Sequence, residues 1–377
     1  MTTHAFKYGR MLGDFEIGAT YAHPWEVTID QGTVALFQAC FLDATPPYAS
    51  HAYAREMGLR DRPVHPLLLL NLGLSFSVHD VSEQAIAHLA YIDVRFPNAA
   101  FAGDTLYATS KVLGVKPGRP SGPSGDGPAP RGVVHVRTLL TRVDGVVVCA
   151  FERKALVRAG NLAERPDLAF VTADQPLPDA HRLPPEMREG IVVPSRMRGF
   201  AGFSEDFAEG DVITHEIGKT VSEAEHMQMT FLCRNSHPLH FDEVYCKGGA
   251  SFAGTRVVYG GLVFAWCASL ASRDTCGNVL WDLGFDNGAH PAGVVAGDTL
   301  FAASKVLKKE AHDARTSRVT FRLVGTKNRR PSELLSAGAD LFTSELSKDK
   351  GAGKVPEKVP EKVFEIDRTV LMRNRPE

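Results

Sequence analysis

The chain has 377 residues, 44% of them hydrophobic and 23% charged, with a formal net charge of −2 at pH 7. This is the make-up of a soluble globular protein that can bury a full core, with a length that suits two or three domains. The near-neutral balance argues against a nucleic-acid partner and against an acidic membrane surface.

The first residues, MTTHAFKYGRMLGDFEIG, lack the apolar stretch of a signal peptide, and the most apolar run, VHPLLLLNLGL at 64–74, is too short to span a bilayer. Six cysteines (Cys40, Cys149, Cys233, Cys246, Cys267 and Cys276) form no C-x-x-C pair and no metal-finger spacing. A reduced, cytoplasmic location without a metal is the expectation.

In chain order, FEIGATYAHPWEVT at 15–28 reads as an early strand. HPLLLLNLGLSFSV at 65–78 reads as a helix apolar all round, with Pro66 suited to its first turn. A helix of that kind must be buried on every side. In 105–112, Leu106, Ala108, Ser110 and Val112 alternate with Thr105, Tyr107, Thr109 and Lys111, the period of a strand. KPGRPSGPSGDGPAPRG at 116–132 is expected as a loop, 133–157 as a hairpin turning at Asp144-Gly145, and 159–198 as a proline-rich linker.

The second half repeats this order. A strand at 207–220 leads to a helix opened by a Ser222/Glu225 capping box, with Ala224, Met227 and Phe231 at helical spacing. GGLVFAWCASLAS at 260–272 is again apolar all round. Around 316–326, Val319, Phe321 and Leu323 alternate with Arg318, Thr320 and Arg322. A charged, low-complexity insertion, KDKGAGKVPEKVPEKV at 348–363, precedes a last strand at about 363–371.

The repetition extends to the letters. AGDTLYATSKVL (102–113) and AGDTLFAASKVL (296–307) agree at ten of twelve positions, 194 residues apart. The same spacing sets RPVHPLLLLNLGLSF (62–76) against RVVYGGLVFAWCASL (256–270). The expectation is an α+β protein of two fused domains, 1–158 and 199–377, each an antiparallel sheet wrapped around one buried helix.

The copies differ where chemistry would sit. NSHPLH in the second half faces DATPPY in the first, so Asn235 stands against Asp43 and His240 against Tyr48. An imidazole takes a proton from water near neutral pH, whereas tyrosine, with a pKa of about 10, is a poor base there. Tyr259-Gly260-Gly261 opens the second apolar helix, where the first has His65-Pro66-Leu67. Free N–H groups at a helix N-terminus can hold the oxygen of an enolate, and proline removes its own donor. Base and donor are therefore retained together in one copy and missing together in the other. The first domain is expected to have lost its chemistry. His240 is the candidate base, Gly261 the candidate oxyanion donor, and Tyr259, His237, Ser269 and Arg256 candidate substrate contacts. Ser269 reads equally as a core hydroxyl bonded to the preceding turn, His237 as a loop histidine, Arg256 as a solvated flank of the apolar helix, and Asp242 as the cap of a short helix at 243–247.

With these residues the chain resembles the MaoC-type hydratases of the hot-dog superfamily over nearly its whole length. The signature there is Asp-x-Asn-Pro-Leu-His, then His-Gly-Met-Leu at the start of the central helix. Pro238-Leu239-His240 match outright, Asn235 takes the Asp position, His237 the Asn position, Gly261 the donor glycine and Ser269 a serine near the dyad. The stretch 64–96, AGDTL in both halves and RVVYGGLV (256–263) are more closely similar to the mesaconyl-CoA hydratase (β-methylmalyl-CoA dehydratase) group, whose members also carry Asn at that first position. The resemblance implies reversible addition of water to a branched C5 enoyl-CoA diacid, with coenzyme A as part of the substrate and no separate cofactor. Asn235 orients water but shuttles no proton.

Three alternatives remain open at this stage. One is another acyl-CoA hydratase acting on itaconyl-, methylfumaryl- or (R)-specific enoyl-CoA substrates. The second is a hot-dog thioesterase using a carboxylate such as Asp43, and the third an acyl-CoA-binding protein without turnover. Fused pairs of this kind can assemble into homo-oligomers. The cation that a diacid's distal carboxylate requires has no assignment from sequence.

Overall fold

The computed structural model describes residues 8–118, 131–160, 170–188, 190–194, 202–345 and 358–376. Ten antiparallel strands form one sheet: β1 (Thr20–Thr28), β2 (Ala85–Arg95), β3 (Thr105–Pro117), β4 (Arg131–Arg142), β5 (Val147–Arg158), β6 (Val212–Thr220), β7 (Val279–Ala289), β8 (Thr299–Ala311), β9 (Thr316–Lys327) and β10 (Lys362–Arg373). Their order is β1-β3-β4-β5-β2-β7-β10-β9-β8-β6. Read outward from the β2–β7 seam, the two halves have the same order, as duplication of one unit requires. The seam pairs Tyr91 with Gly288, Val94 with Phe285 and Arg95 with Gly284. A Cβ on Gly284 would lie 2.4 Å from the Val94 carbonyl oxygen, so the halves meet this closely only over glycine.

Four principal helices accompany the sheet: α1 (Gln31–Phe41), α2 (Pro66–Phe76), α3 (Glu223–Leu232) and α4 (Gly260–Thr275). Every residue of α2 is buried, and α4 is buried along most of its length, so both are the central helices expected from their all-round apolar sequences. They share one continuous core that includes Leu68, Leu72, Phe264 and Cys267. On β3, Leu106, Ala108, Ser110 and Val112 are buried, the face expected from the alternation. The hairpin turns at Asp144-Gly145, with Gly145 at φ 85.

A hydrogen-bonded trio built on a buried histidine and a buried serine recurs in both copies. His23 lies 2.9 Å from Asp80 and 2.7 Å from Ser110, and His215 lies 2.6 Å from Asp274 and 2.9 Å from Ser304. Each trio ties the first strand of its half to the third strand and to the segment ending the central helix. Both serines are sealed in the core, so these are structural locks and not nucleophiles.

Four expectations need correction. The Gly/Pro-rich segment 116–132 is partly strand, since β3 runs to Pro117 and β4 begins at Arg131; residues 119–130 lie outside the described residues. Within 159–198, Met187 and Ile191 pack into a core with Leu280 and Trp281, because the segment carries enough apolar side chains to bind the sheet. Helix α3 buries His226, Met229 and Thr230, while Ala224 and Phe231 face outward, because its buried side is set by contact with the central core. Ser222 caps α3 by accepting from the Glu225 N–H at 3.3 Å, but the Glu225 carboxylate turns to Lys219 at 2.8 Å and leaves the box half made. Of the insertion at 348–363, residues 348–357 lie outside the described residues, and the final strand begins at Lys362.

Candidate active site

The segment 235–240 is a chain of local locks. Asn235 Oδ1 accepts from the His237 N–H at 3.0 Å, and His237 Nδ1 accepts from the Leu239 N–H at 3.2 Å. Pro238–His240 then form a single helical turn with proline at its start. His240 Nδ1 lies 2.8 Å from the Val257 carbonyl, which accepts only, so that nitrogen carries the proton. Among the described residues Nε2 of neutral His240 is left with its lone pair free, the tautomer a general base requires. Burial, reinforced by the neighbouring His237, pulls the His240 pKa down to about 3. Burial likewise lowers His237 to about 4, partly opposed by a backbone hydrogen bond with Ala85 of β2.

These residues line a cavity of about 380 Å³ between the two halves. The second half contributes Asn235, His237, His240, Tyr259, Gly260 and His290. The first half contributes Leu74, Val78, Ser82, His88, Tyr91 and Arg153. The cavity is therefore joint property, and the first half forms one wall of it. Tyr259 packs its ring 5.4 Å from that of His240, and Tyr91 OH lies 3.4 Å from His290 Nε2.

The N-terminus of α4 is open. Tyr259 gives no side-chain cap, and among the described residues the N–H groups of Gly260 and Gly261 have no partner. In α2 the same place is closed, because Pro66 has no N–H and His65 Nδ1 accepts from the Leu67 N–H at 3.1 Å. The first-half counterpart of the cavity is filled by side chains. Tyr48 packs against His65 and Trp281 and accepts from the Asp282 N–H at 3.0 Å. Asp43 accepts from the Thr45 N–H at 2.8 Å, and although burial pushes its carboxyl up, His65 and Arg368 hold it down at about 2. A sealed Asp43, engaged by Thr45 and packed beside His65, is poorly placed to act as a thioesterase carboxylate.

Three site expectations change. The glycine on the cavity wall is Gly260, whereas Gly261 sits at the crossing of α4 with α2, where a Cβ would lie 1.7 Å from Asn71 Oδ1. Ser269 bonds the Ala265 carbonyl at 2.8 Å inside α4 and does not line the cavity. Arg256 is held outside the cavity by Glu223 at 2.6 Å and Glu243 at 3.2 Å. Asp242 caps its short helix, accepting from the Tyr245 N–H at 2.9 Å, as its position suggested. His88, Tyr91, Arg153 and His290 were missed. Arg153 did leave a signal, since it stands on the face of β5 otherwise given to Cys149, Phe151, Ala155 and Val157. Among the described residues no three His, Cys, Asp or Glu side chains converge as metal ligands, and no helix is long and apolar enough to cross a membrane.

Two sheet halves, each around a central helix, with a Pro-Leu-His turn and an open helix N-terminus at their junction, define a double hot-dog protein of the MaoC-like dehydratase type. A crystal structure of a MaoC domain protein dehydratase from Chloroflexus aurantiacus superposes with a TM-score of 0.81 at 28% identity, covering 99% of this chain and 100% of that one. A Mycobacterium tuberculosis protein described as a double hotdog fold superposes with a TM-score of 0.71 at 20% identity, covering 97% and 98%. The sequence model for mesaconyl-CoA hydratase matches residues 2–335. The β-methylmalyl-CoA dehydratase of Chloroflexus aurantiacus is 31% identical over 324 residues, 85% of this chain and 89% of that protein. The chain belongs to the mesaconyl-CoA hydratase family, and it is a hydro-lyase of the enoyl-CoA hydratase type.

Proposed function

We propose that the protein reversibly adds water to the double bond of a branched C5 enoyl-CoA diacid, mesaconyl-CoA giving β-methylmalyl-CoA, with His240 as the general base. The observation that carries this is the pairing, in one cavity, of a His240 Nε2 that is free among the described residues with the start of α4, where Gly260 with its unpartnered N–H stands on the wall. The names of the relatives support the choice of substrate.

In this reading the thioester carbonyl lies on the open helix N-terminus, where the dipole and the free donors favour the charge that develops on its oxygen. His240 Nε2 takes a proton from the water that attacks the β-carbon. The electron pair of the double bond moves toward the thioester and the enolate is held at the helix. His237 is a poor source of the α-carbon proton, because its Nδ1 accepts from Leu239 and it also engages the Ala85 backbone. Asp242 is occupied as a cap. The His240 imidazolium, formed in the first step, is the group left to return that proton to the α-carbon. A single base serving both carbons requires addition of H and OH to the same face. Asn235, its Oδ1 engaged by His237, turns its amide nitrogen to the water oxygen and so positions the nucleophile.

The test follows loss of enoyl-thioester absorbance with mesaconyl-CoA and, in parallel, release of free thiol. The wild-type chain should consume the enoyl signal without releasing thiol, and His240→Ala should lower kcat/KM by about 10³-fold. A loss of no more than about 10-fold, or thiol release at the rate of signal loss, would overturn the reading.

A further inference from the structure

Arg153 is buried, 1% exposed, yet it lines the cavity. Its guanidinium donates to Ser77 Oγ at 2.7 Å and to Ser82 Oγ at 3.3 Å, and its Nε has no partner among the described residues. Among the described residues no carboxylate comes within ion-pair distance of it. A buried guanidinium facing only hydroxyls is costly, and the cost is offset when an anion joins it.

The duplicated fold supplies a control inside the same chain. Arg153 on β5 stands opposite Tyr91 of β2, and Arg368 on β10 stands opposite Phe285 of β7, so the two arginines are equivalent. Arg368 is closed by a two-pronged ion pair with Asp282, Nε to Oδ1 at 2.6 Å and Nη2 to Oδ2 at 3.0 Å. The residue equivalent to Asp282, 194 positions earlier, is His88. Among the described residues neither ring nitrogen of His88 has a partner, and it lines the cavity beside Arg153. In one half, then, an aspartate neutralises the arginine; in the other that aspartate is replaced and the arginine faces the cavity that holds His240.

We propose that Arg153, contributed by the half without the Pro-Leu-His turn, binds the distal carboxylate of a dicarboxylic thioester, and that the replacement of an aspartate by His88 keeps it open for that role. The proposal rests on the hydratase reading and names the group that would select a diacid. In a fumarate-type thioester the distal carboxylate is attached to the β-carbon, the atom that water attacks. An anion there repels an incoming nucleophile, so a paired cation both anchors the substrate and removes that penalty. A planar guanidinium matches a carboxylate with two parallel hydrogen bonds.

Equilibrium binding of two unreactive thioesters, succinyl-CoA and butyryl-CoA, tests recognition without turnover. The wild-type chain should prefer succinyl-CoA by about 10²-fold, the size expected for a buried charge pair. Arg153→Gln should abolish that preference by weakening succinyl-CoA alone. His88→Asp should abolish it as well, while keeping or raising Tm, because it rebuilds the ion pair that Arg368 already makes. This second variant decides the matter if Arg153→Gln fails to fold. No preference in the wild-type chain, equal weakening of both thioesters by Arg153→Gln, or a surviving preference in a folded His88→Asp would each overturn the proposal. The absorbance assay above judges the hydratase reading separately, so failure of one is distinguishable from failure of the other.

Discussion

His240 combines a fixed tautomer with a low pKa, and the two have different causes. The Val257 carbonyl sets the tautomer at 2.8 Å, while burial and His237 lower the pKa to about 3. The imidazole is therefore neutral, and ready as a base, far below the pH at which an exposed histidine protonates. A base with the ordinary pKa of about 6.5 would retain only about 3% of its neutral form at pH 5. The account predicts that kcat/KM at pH 5 stays above half its value at pH 7.5. A fall with a midpoint near 6.5 would contradict it. At this scale the sequence was informative about His240 and Asn235, because the contrast NSHPLH against DATPPY marks a change of chemistry within a preserved frame. It was silent on His88, in β2, and on His290, just past the end of β7, with nothing local to separate a ligand-facing histidine from a packed one. Arg256 stayed between two readings, because its proximity in sequence to the helix start says nothing of the two carboxylates that claim it.

Helix α4 assigns separate work to its two glycines. A Cβ on Gly260 would approach His290 Nε2 to 2.8 Å, at the cavity wall, whereas a Cβ on Gly261 would approach Asn71 Oδ1 to 1.7 Å, inside the helix crossing. Gly261→Ala should therefore cost stability, lowering Tm by several degrees, since buried side chains must shift to admit a methyl group. Gly260→Ala and Gly260→Pro place similar bulk against His290, but only proline removes the N–H. Proline is tolerated at the first helical position, as Pro66 in α2 illustrates. Gly260→Pro should thus turn over about 10²-fold or more slowly than Gly260→Ala, with both folded. Equal rates would remove the Gly260 N–H from the mechanism. Elements such as α2 and β3 were legible because a helix apolar on every side and a strict two-residue alternation each have one comfortable environment. The face of α3 was not, because Ala224, Met227 and Phe231 offer an apolar stripe as plausible as the one that packs.

Duplication explains the molecule as a whole. Two copies of one unit pair at the β2–β7 seam and create two equivalent junctions. One is filled by Tyr48, His65, Trp281 and the Arg368–Asp282 pair; the other is a cavity. The repeat AGDTL made the two-unit fold legible, but a joint cavity depends on how the units meet, which no local pattern encodes. The open junction also carries a stability consequence. His237 and His290 have folded pKa values of about 4 and His240 of about 3, all below the unfolded value near 6.5. Between these limits the unfolded chain binds more protons, so stability is complete above about pH 6.5 and declines as the pH falls toward 4. Tm should drop between pH 7 and pH 5, and an unchanged Tm over that interval would contradict the burial of these groups. The most direct test of the central claim is a crystal structure of the His240→Ala chain with mesaconyl-CoA trapped in it. The account predicts one thioester per chain, in the cavity between the halves, with its carbonyl oxygen on the N–H groups that open α4. A thioester in the Tyr48 junction, or one whose carbonyl lies away from α4, would contradict it.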